Sequence, residues 1–253
     1  MTAGAVFGLD GAVALVTGAS SGLGARFARV LATNGARVAL AGRDRAALDR
    51  VKGEIEAAGG TAVAIAFDLR DHDRVPGVFD EVAAALGPVT IVVNNAGIAA
   101  EREVADLSLE DWREILDVDL DALFVMAREA ARRLPEGGAI VNVSSILALR
   151  AKAGMAAYSA AKAGVAQLSR VMALELAGRG VRVNTLAPGY VVTGMNRDFF
   201  ESEASRPLVA EIPLGRVGQV ADFDGPILFL CSGASRFMTG ATLVVDGGHV
   251  LAL

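Results

Sequence analysis

AVALVTGASSGLG, residues 12–24, is the stretch on which the reading of this chain turns. Residues 12–17 form a short apolar run with β-branched valines, the pattern of a strand buried on both faces. The run passes directly into Gly18-x3-Gly22-x-Gly24, and a helical pattern then spans residues 25–34, with Gly35 suited to its end. Glycines at such a junction permit a tight turn and close approach of backbone to a pyrophosphate. The helix that follows offers free N–H groups and the positive end of its dipole. An ordinary strand-to-helix turn also uses glycine, but this loop follows the first strand and opens the first helix. It predicts a dinucleotide cradle made of Gly18, Ser20, Ser21, Gly22, Leu23 and Gly24.

The same alternation continues to the end of the chain. Strands are predicted over 36–41, 61–67, 89–93, 139–143, 181–186 and 242–245. Helices are predicted over 44–58, 73–86, 108–134, 154–177 and 220–232. The helix over 108–134 reads as one long element, with Ser108 as its N-cap and Asp111 three residues on. Residues 188–218 read as irregular, with short helical pieces. Strands alternating with helices predict an α/β fold of the Rossmann type: a doubly wound, parallel, seven-stranded sheet with helices on both faces. No linker, repeat or low-complexity run interrupts it, so residues 1–253 are expected to form a single dinucleotide-binding catalytic domain. Its ligand belongs beyond the carboxyl ends of the strands, at the switch in strand order.

Composition narrows the function. The chain has 253 residues, 53% of them hydrophobic, enough for one sizeable core. A net charge of −5 argues against nucleic acid as a partner. No charge-free apolar run reaches the roughly 18 residues of a membrane span. The segment MTAGAVFGLDG lacks a basic region ahead of a long apolar stretch, so it does not read as a signal peptide, and a cytoplasmic location is expected. One cysteine, Cys231, excludes an internal disulfide, and its apolar surroundings mark an inert core thiol. One Cys and two scattered His give no support to a metal site, so redox chemistry here needs an organic cofactor.

Strand ends supply the remaining cofactor contacts. After the second strand stands Gly42-Arg43-Asp44. An acid in the place of Gly42 favours NAD through the ribose 2′-hydroxyl, whereas Gly42 leaves room and Arg43 can pair with a 2′-phosphate. That points to NADP over NAD, with Asp44 read as the cap of the next helix. Asp68-Leu69, after the third strand, places a carboxylate where it can accept from the adenine amino group. Asn94-Asn95-Ala96-Gly97, after the fourth, lets a flat ring approach the backbone.

NVSSILALRAKAGMAAYSAAK, residues 142–162, carries the reactive groups. Tyr158 and Lys162 are four apart, one turn from each other on a helix face. A cation held there favours the phenolate, which fits a tyrosine for general acid–base work. Ser145 lies at the end of the fifth strand, where a loop and then the helix bring all three groups to one carbonyl. A lone YxxxK is commonly a solvated helix face, and its weight comes from the other motifs.

Taken together these motifs closely resemble the classical short-chain dehydrogenase/reductase family over essentially the whole chain. The matching residues are Thr17-Gly18-x3-Gly22-x-Gly24, Asn94-Asn95-Ala96-Gly97, Ser145 with Tyr158-x3-Lys162, and Pro188-Gly189 ahead of Thr193. The stretch 187–248 resembles the gluconate 5-dehydrogenase-like and 3-oxoacyl-reductase-like branch. The resemblance implies that Tyr158 donates the proton, that Lys162 supports it and binds the nicotinamide ribose, and that Ser145 orients the carbonyl. It further implies that Asn95, Ala96 and Gly97 line the adenosine side, that Val191 and Thr193 meet the nicotinamide amide, and that Pro188 and Gly189 belong to the cofactor site. A homotetramer is also implied, consistent with alanine and leucine on more than one face of the helices over 108–134 and 154–177.

One departure stands out. Where the family carries asparagine in a V-N-L-like segment that holds a proton-relaying water, this chain has Val118-Asp119-Leu120. Asp119 accepts hydrogen bonds but donates none while ionised, and the relay is expected to survive. Candidate substrate contacts are Ser145, Ile146, Leu147, Tyr158, Tyr190, Met195 and Phe199, with Phe200 beside them, and 193–213 reads as a lid. Arg150, Lys152 and Arg197 can meet an acidic substrate at the rim, although solvated loop charges are the commoner reading of such residues. The expected activity is reversible hydride transfer between NAD(P) and a small ketone or secondary alcohol. Two alternatives stay open: a 3-oxoacyl-[acyl-carrier-protein] reductase, and a catalytically silent NADP-binding sensor or scaffold.

Overall fold

Burial on both faces explains why the strands read as unbroken apolar runs. In the computed structural model, which describes residues 6–194 and 196–252, β1 (Val13–Thr17) is buried along its entire length. Its side chains alternate between two cores. Val13 and Leu15 enter one, Ala14 and Val16 the other, as the two-residue period of a strand requires. Around β1 lie β2 (Arg37–Gly42), β3 (Thr61–Ala66), β4 (Ile91–Asn94), β5 (Ala139–Val143), β6 (Arg182–Pro188) and a last strand, Thr242–Val245, all parallel. The sheet order is β3-β2-β1-β4-β5-β6 followed by that last strand. The chain builds outward from β1 to β3, then returns to place β4 on the other side of β1. The switch point therefore lies between β1 and β4.

One face of the sheet is covered by α1 (Gly22–Thr33), α2 (Arg45–Ala57) and a late helix, Asp224–Cys231, around Phe27, Leu31, Leu48 and Ile227. The other face is covered by α3 (Val75–Leu86) and by the helices after β4 and β5, around Phe79, Val82, Met126 and Met172. Cys231 is buried in the first core, and burial pushes its thiol up to about 12, as befits an inert thiol. No helix among the described residues is long and apolar enough to cross a membrane.

The expected single helix over 108–134 is interrupted. It consists of α4 (Leu109–Leu116), a wide π-helical turn over Asp117–Asp121, and α5 (Ala122–Arg133). Ser108 caps its start by accepting from the Asp111 N–H at 3.0 Å. The wide turn inserts a residue into the helical repeat and turns Asp119 fully inward, and such turns recur at functional sites. Nothing in the apolar periodicity marks it. The helix after β5 is α6 (Ala156–Leu176), two residues later at its start than the pattern implies. Residues 188–218 hold a short parallel ribbon, β7 (Val191–Val192) with β8 (Gly218–Gln219), and two short helices, α7 (Arg197–Glu201) and α8 (Arg206–Ala210).

Phe27 is fully buried where α1 meets the sheet. Phe27→Ala is expected to cost about 3–5 kcal/mol of unfolding free energy, read as a lower denaturant midpoint with an unchanged slope.

Candidate active site

Thr17 fastens the two loops at the switch point. Its hydroxyl oxygen accepts from the backbone N–H groups of Asn95 (3.0 Å) and Ala96 (3.2 Å), and its carbonyl accepts from the Asn95 amide (3.0 Å). The glycine loop is thereby set against the β4 loop with no room for side chains. A Cβ at Gly18 would lie 2.9 Å from Ala96 Cα, and one at Gly24 only 2.2 Å from the Gly18 carbonyl oxygen. Gly22 has a positive φ of 54° and faces the Thr193 methyl across a narrow gap. Ser21, at the N-cap of α1, makes no side-chain cap bond, so the first N–H groups of the helix keep their donors for an anion. These features fit a pyrophosphate between the glycine loop and Thr193.

A seam of buried polar side chains seats α6 on the sheet. The Asn94 amide donates to the Asn142 side-chain oxygen (2.9 Å), and the Asn142 amide to the Ser169 hydroxyl (2.9 Å). The Ser144 hydroxyl donates to the backbone carbonyl of Lys162 itself (2.7 Å). Lys162 Nζ is almost wholly buried, 3.1 Å from Asp119 Oδ2 and 3.3 Å from the Val143 carbonyl oxygen. It also lies 5.5 Å from the centre of the Tyr158 ring. Asp119 Oδ1 accepts from the Ile98 N–H at 2.7 Å. Burial pushes the Asp119 carboxyl above the usual carboxylate range, against the pull of the Lys162 ammonium and the Ile98 N–H. Gly97 covers the pair so closely that a Cβ there would lie 2.9 Å from Asp119 Oδ2 and 3.1 Å from Lys162 Nζ.

Ser145, Tyr158 and Lys162 open into one cavity of about 700 Å³ at the carboxyl edge of the sheet. Leu23, Asn95, Gly97, Ile146, Leu147, Pro188, Gly189, Tyr190 and Val191 line it as well. Asp119 sits behind Lys162, outside the lining. Ser145 Oγ accepts from the Leu147 N–H (3.1 Å), which leaves its own O–H free to donate. Arg43, Asp68 and Leu69 lie further along the edge, just beyond the ends of β2 and β3. Phe199 is exposed on α7 and packs edge-on against Phe200, which leans on Tyr190. Met195 lies outside the described residues.

Several lining residues escape sequence reasoning: Ile98, Ala99, Met155 and Asn196. Ile98 and Ala99 directly follow the Asn94–Gly97 motif, a signal available in the sequence. Met155 and Asn196 carry none. The three basic rim candidates separate. Arg150 is tied back to the His249 carbonyl oxygen (2.6 Å) and to Glu211, Arg197 is exposed beside Glu201, and Lys152 alone lines the cavity.

Residues 18–249 match the protein family described as Enoyl-(Acyl carrier protein) reductase. The chain is 40% identical over 254 residues to gluconate 5-dehydrogenase of Gluconobacter oxydans (strain 621H), with 98% of each chain covered. It is 41% identical over 251 residues to galactitol 2-dehydrogenase (L-tagatose-forming) of Cereibacter sphaeroides, over 97% of this chain and 98% of that one. Among solved structures, a blue fluorescent protein from a metagenomic library, in complex with NADPH, superposes with a TM-score of 0.90 at 36% identity. That match covers 95% of this chain and 98% of the other.

Hydrogen bonds from the Arg70 side chain, then from its backbone N–H, hold the Asp68 carboxyl at about 2. Asp68 therefore ionises more readily folded than unfolded. Its contribution is present above the unfolded value of about 3.9 and is lost as pH falls towards 2. Partial exposure and solvent screening keep it below about 1 kcal/mol. Asp68→Asn is expected to lower unfolding free energy at pH 7 by no more than that, with the gap to the parent closing between about pH 4 and pH 2 in denaturant titrations.

Proposed function

The chain belongs to the short-chain dehydrogenase/reductase family, and from that footing we propose that Ser145, Tyr158 and Lys162, backed by Asp119, catalyse reversible hydride transfer on a small ketone or secondary alcohol with NADP. The observation that carries this reading is a buried ammonium, paired with a carboxylate, beside a phenol that shares its cavity with Ser145 and Asn95. A nicotinamide dinucleotide, when bound, supplies the hydride in reduction and accepts it in oxidation. Ser145 donates its free O–H to the substrate oxygen and fixes its orientation. Tyr158 gives that oxygen a proton in reduction and withdraws it in oxidation. Lys162 stabilises the phenolate and reaches towards the ribose hydroxyls, while Asp119 holds the ammonium and takes part in passing the proton onward.

Gly18, Ser20, Ser21, Gly22, Leu23 and Gly24 hold the pyrophosphate. Asn95, Ala96 and Gly97 line the adenosine side, and Pro188, Gly189, Val191 and Thr193 meet the nicotinamide. Asp68 and Leu69 hold adenine. Arg43 pairs with the 2′-phosphate, for which Gly42 leaves space: a Cβ there would meet nothing closer than Leu48 at 3.6 Å. Ile146, Leu147 and Tyr190 shape the substrate end. Residues 193–213, carrying Phe199 and Phe200, form a lid over it, completing a single domain over residues 1–253.

The named relatives act on gluconate and galactitol, which supports a sugar-sized substrate over a carrier-bound acyl group. A carrier protein would dock on free surface cations, and three arginines near the ends of α5 and α6 are otherwise engaged. Arg179 is bonded to the carbonyls of Ala131 and Leu134, and Arg132 and Arg133 are paired with Glu129. Phe124 on α5 and Val171 and Leu174 on α6 are exposed apolar side chains, which suits subunit contact in a cytoplasmic homotetramer.

Turnover of a panel of polyols, sugar acids, ketones and acetoacetyl thioesters with each nicotinamide cofactor tests this reading. Tyr158→Phe is expected to lower kcat by roughly 10²–10⁴-fold while nucleotide affinity stays within about twofold. A parent protein that binds NADP and turns over nothing on the panel would favour the sensor instead.

A further inference from the structure

The charged residues on the cavity wall are of one sign. Among its described lining residues the charged ones are Lys162 and Lys152, and no carboxylate joins them. Both ammoniums have a carboxylate partner, Asp119 behind Lys162 and Glu101 beside Lys152; the Lys162–Asp119 pair is buried, whereas Glu101 is largely exposed and water screens its hold on Lys152. Most of the remaining wall is apolar, from Ile98, Ile146, Leu147, Met155 and Val191.

Lys152 is held in place. Its Nζ donates to Glu101 Oε2 at 2.8 Å, and burial opposes but does not outweigh that bond, so the ammonium is kept charged. Glu101 and Lys152 belong to the two loops that follow β4 and β5. Those loops are joined by the Arg102 N–H donating to the Gly154 carbonyl (2.8 Å) and by the pairing of Arg102 with Met155. The Glu101 stem crosses Gly154, where a Cβ would come within 2.7 Å of it. Glu101 is the more exposed partner and does not line the cavity.

Resting on the oxidoreductase reading above, we propose that Lys152 binds a carboxylate of the substrate, so that the site takes sugar-sized hydroxy and oxo acids in preference to neutral polyols. Glu101 holds the ammonium until the substrate carboxylate shares or displaces it. Arg150, two residues away, has no part in this because His249 and Glu211 retain it. Lys152 is thus a specificity-determining residue, apart from the proton-transfer groups.

D-gluconate and D-glucitol differ only at C1, carboxylate against hydroxymethyl, and make a matched pair of probes. Calorimetric titration of each into the enzyme saturated with NADP⁺, and separately with NAD⁺, gives their affinity ratio. The parent is expected to favour gluconate, and Lys152→Met to cut the gluconate-to-glucitol ratio about tenfold, the scale of one charge-assisted hydrogen bond. Lys152→Arg should keep the ratio within about twofold, and Glu101→Gln should raise gluconate affinity by about threefold, because the ammonium loses its competitor. A parent that binds gluconate no more tightly than glucitol, or a Lys152→Met protein with the parent's ratio, would overturn the proposal. A gluconate preference in a protein that never reduces its cofactor would uphold this site and overturn the catalytic reading, so the two fail separately.

Discussion

Lys162 places an almost wholly buried ammonium at the floor of the cavity, and much of the active edge is arranged around that charge. A buried cation is tolerable only with a counter-charge and good hydrogen-bonding geometry. Asp119 supplies the charge, the Val143 carbonyl a further acceptor, and the Ile98 N–H holds the carboxylate in turn. The Ser144 hydroxyl grips the Lys162 backbone, and the Asn94–Asn142–Ser169 chain seats the same helix a turn or two further along. Gly97 is required because any side chain there would enter the pair. Tyr158 owes its place beside the ammonium to these contacts.

The sheet was legible because each strand is buried on both faces, so an apolar run bounded by Gly or Asn announces itself. The glycine loop was legible for a related reason. A strand that ends at Thr17, just before Gly18, and a helix that opens at Gly22 leave few other arrangements. Even so, β4 begins at Ile91 rather than at residue 89, and β6 extends to Pro188, since hydrogen-bond registry and not hydrophobicity sets strand ends. The π-helical turn over Asp117–Asp121 was not legible. Its residues are ordinary, and the extra residue in the repeat shows only in three dimensions. The serine–tyrosine–lysine set could be found by spacing, but the polar seam that positions it could not, because Asn142, Ser144 and Ser169 are unremarkable in type.

The same limit applies at the substrate end. Arg150 and Lys152 are equivalent in sequence, both basic and both between Ser145 and Tyr158. What separates them is the chain's last described residues, which return to retain Arg150 through the His249 carbonyl and leave Lys152 to face the cavity. Specificity of this kind depends on contacts between segments about a hundred residues apart. The chemistry, by contrast, centres on groups that stand close in sequence, Ser145 after β5 and Tyr158 and Lys162 one turn apart on α6. This difference explains why the reaction class reads from motifs while the substrate class needs the fold.

The central claim is that the Asp119 carboxylate is the working counter-charge of Lys162 and so acts on Tyr158 through it. The direct measurement is the pH–rate profile of Asp119→Asn against the parent, with Asp119→Glu as the charge-conserving control. Removing a negative charge eases proton loss nearby, so the limb reporting the acid–base group should move to lower pH in Asp119→Asn, with kcat reduced. Asp119→Glu should keep the limb near the parent's position. Superimposable profiles and equal rates for Asp119→Asn and the parent would contradict the account.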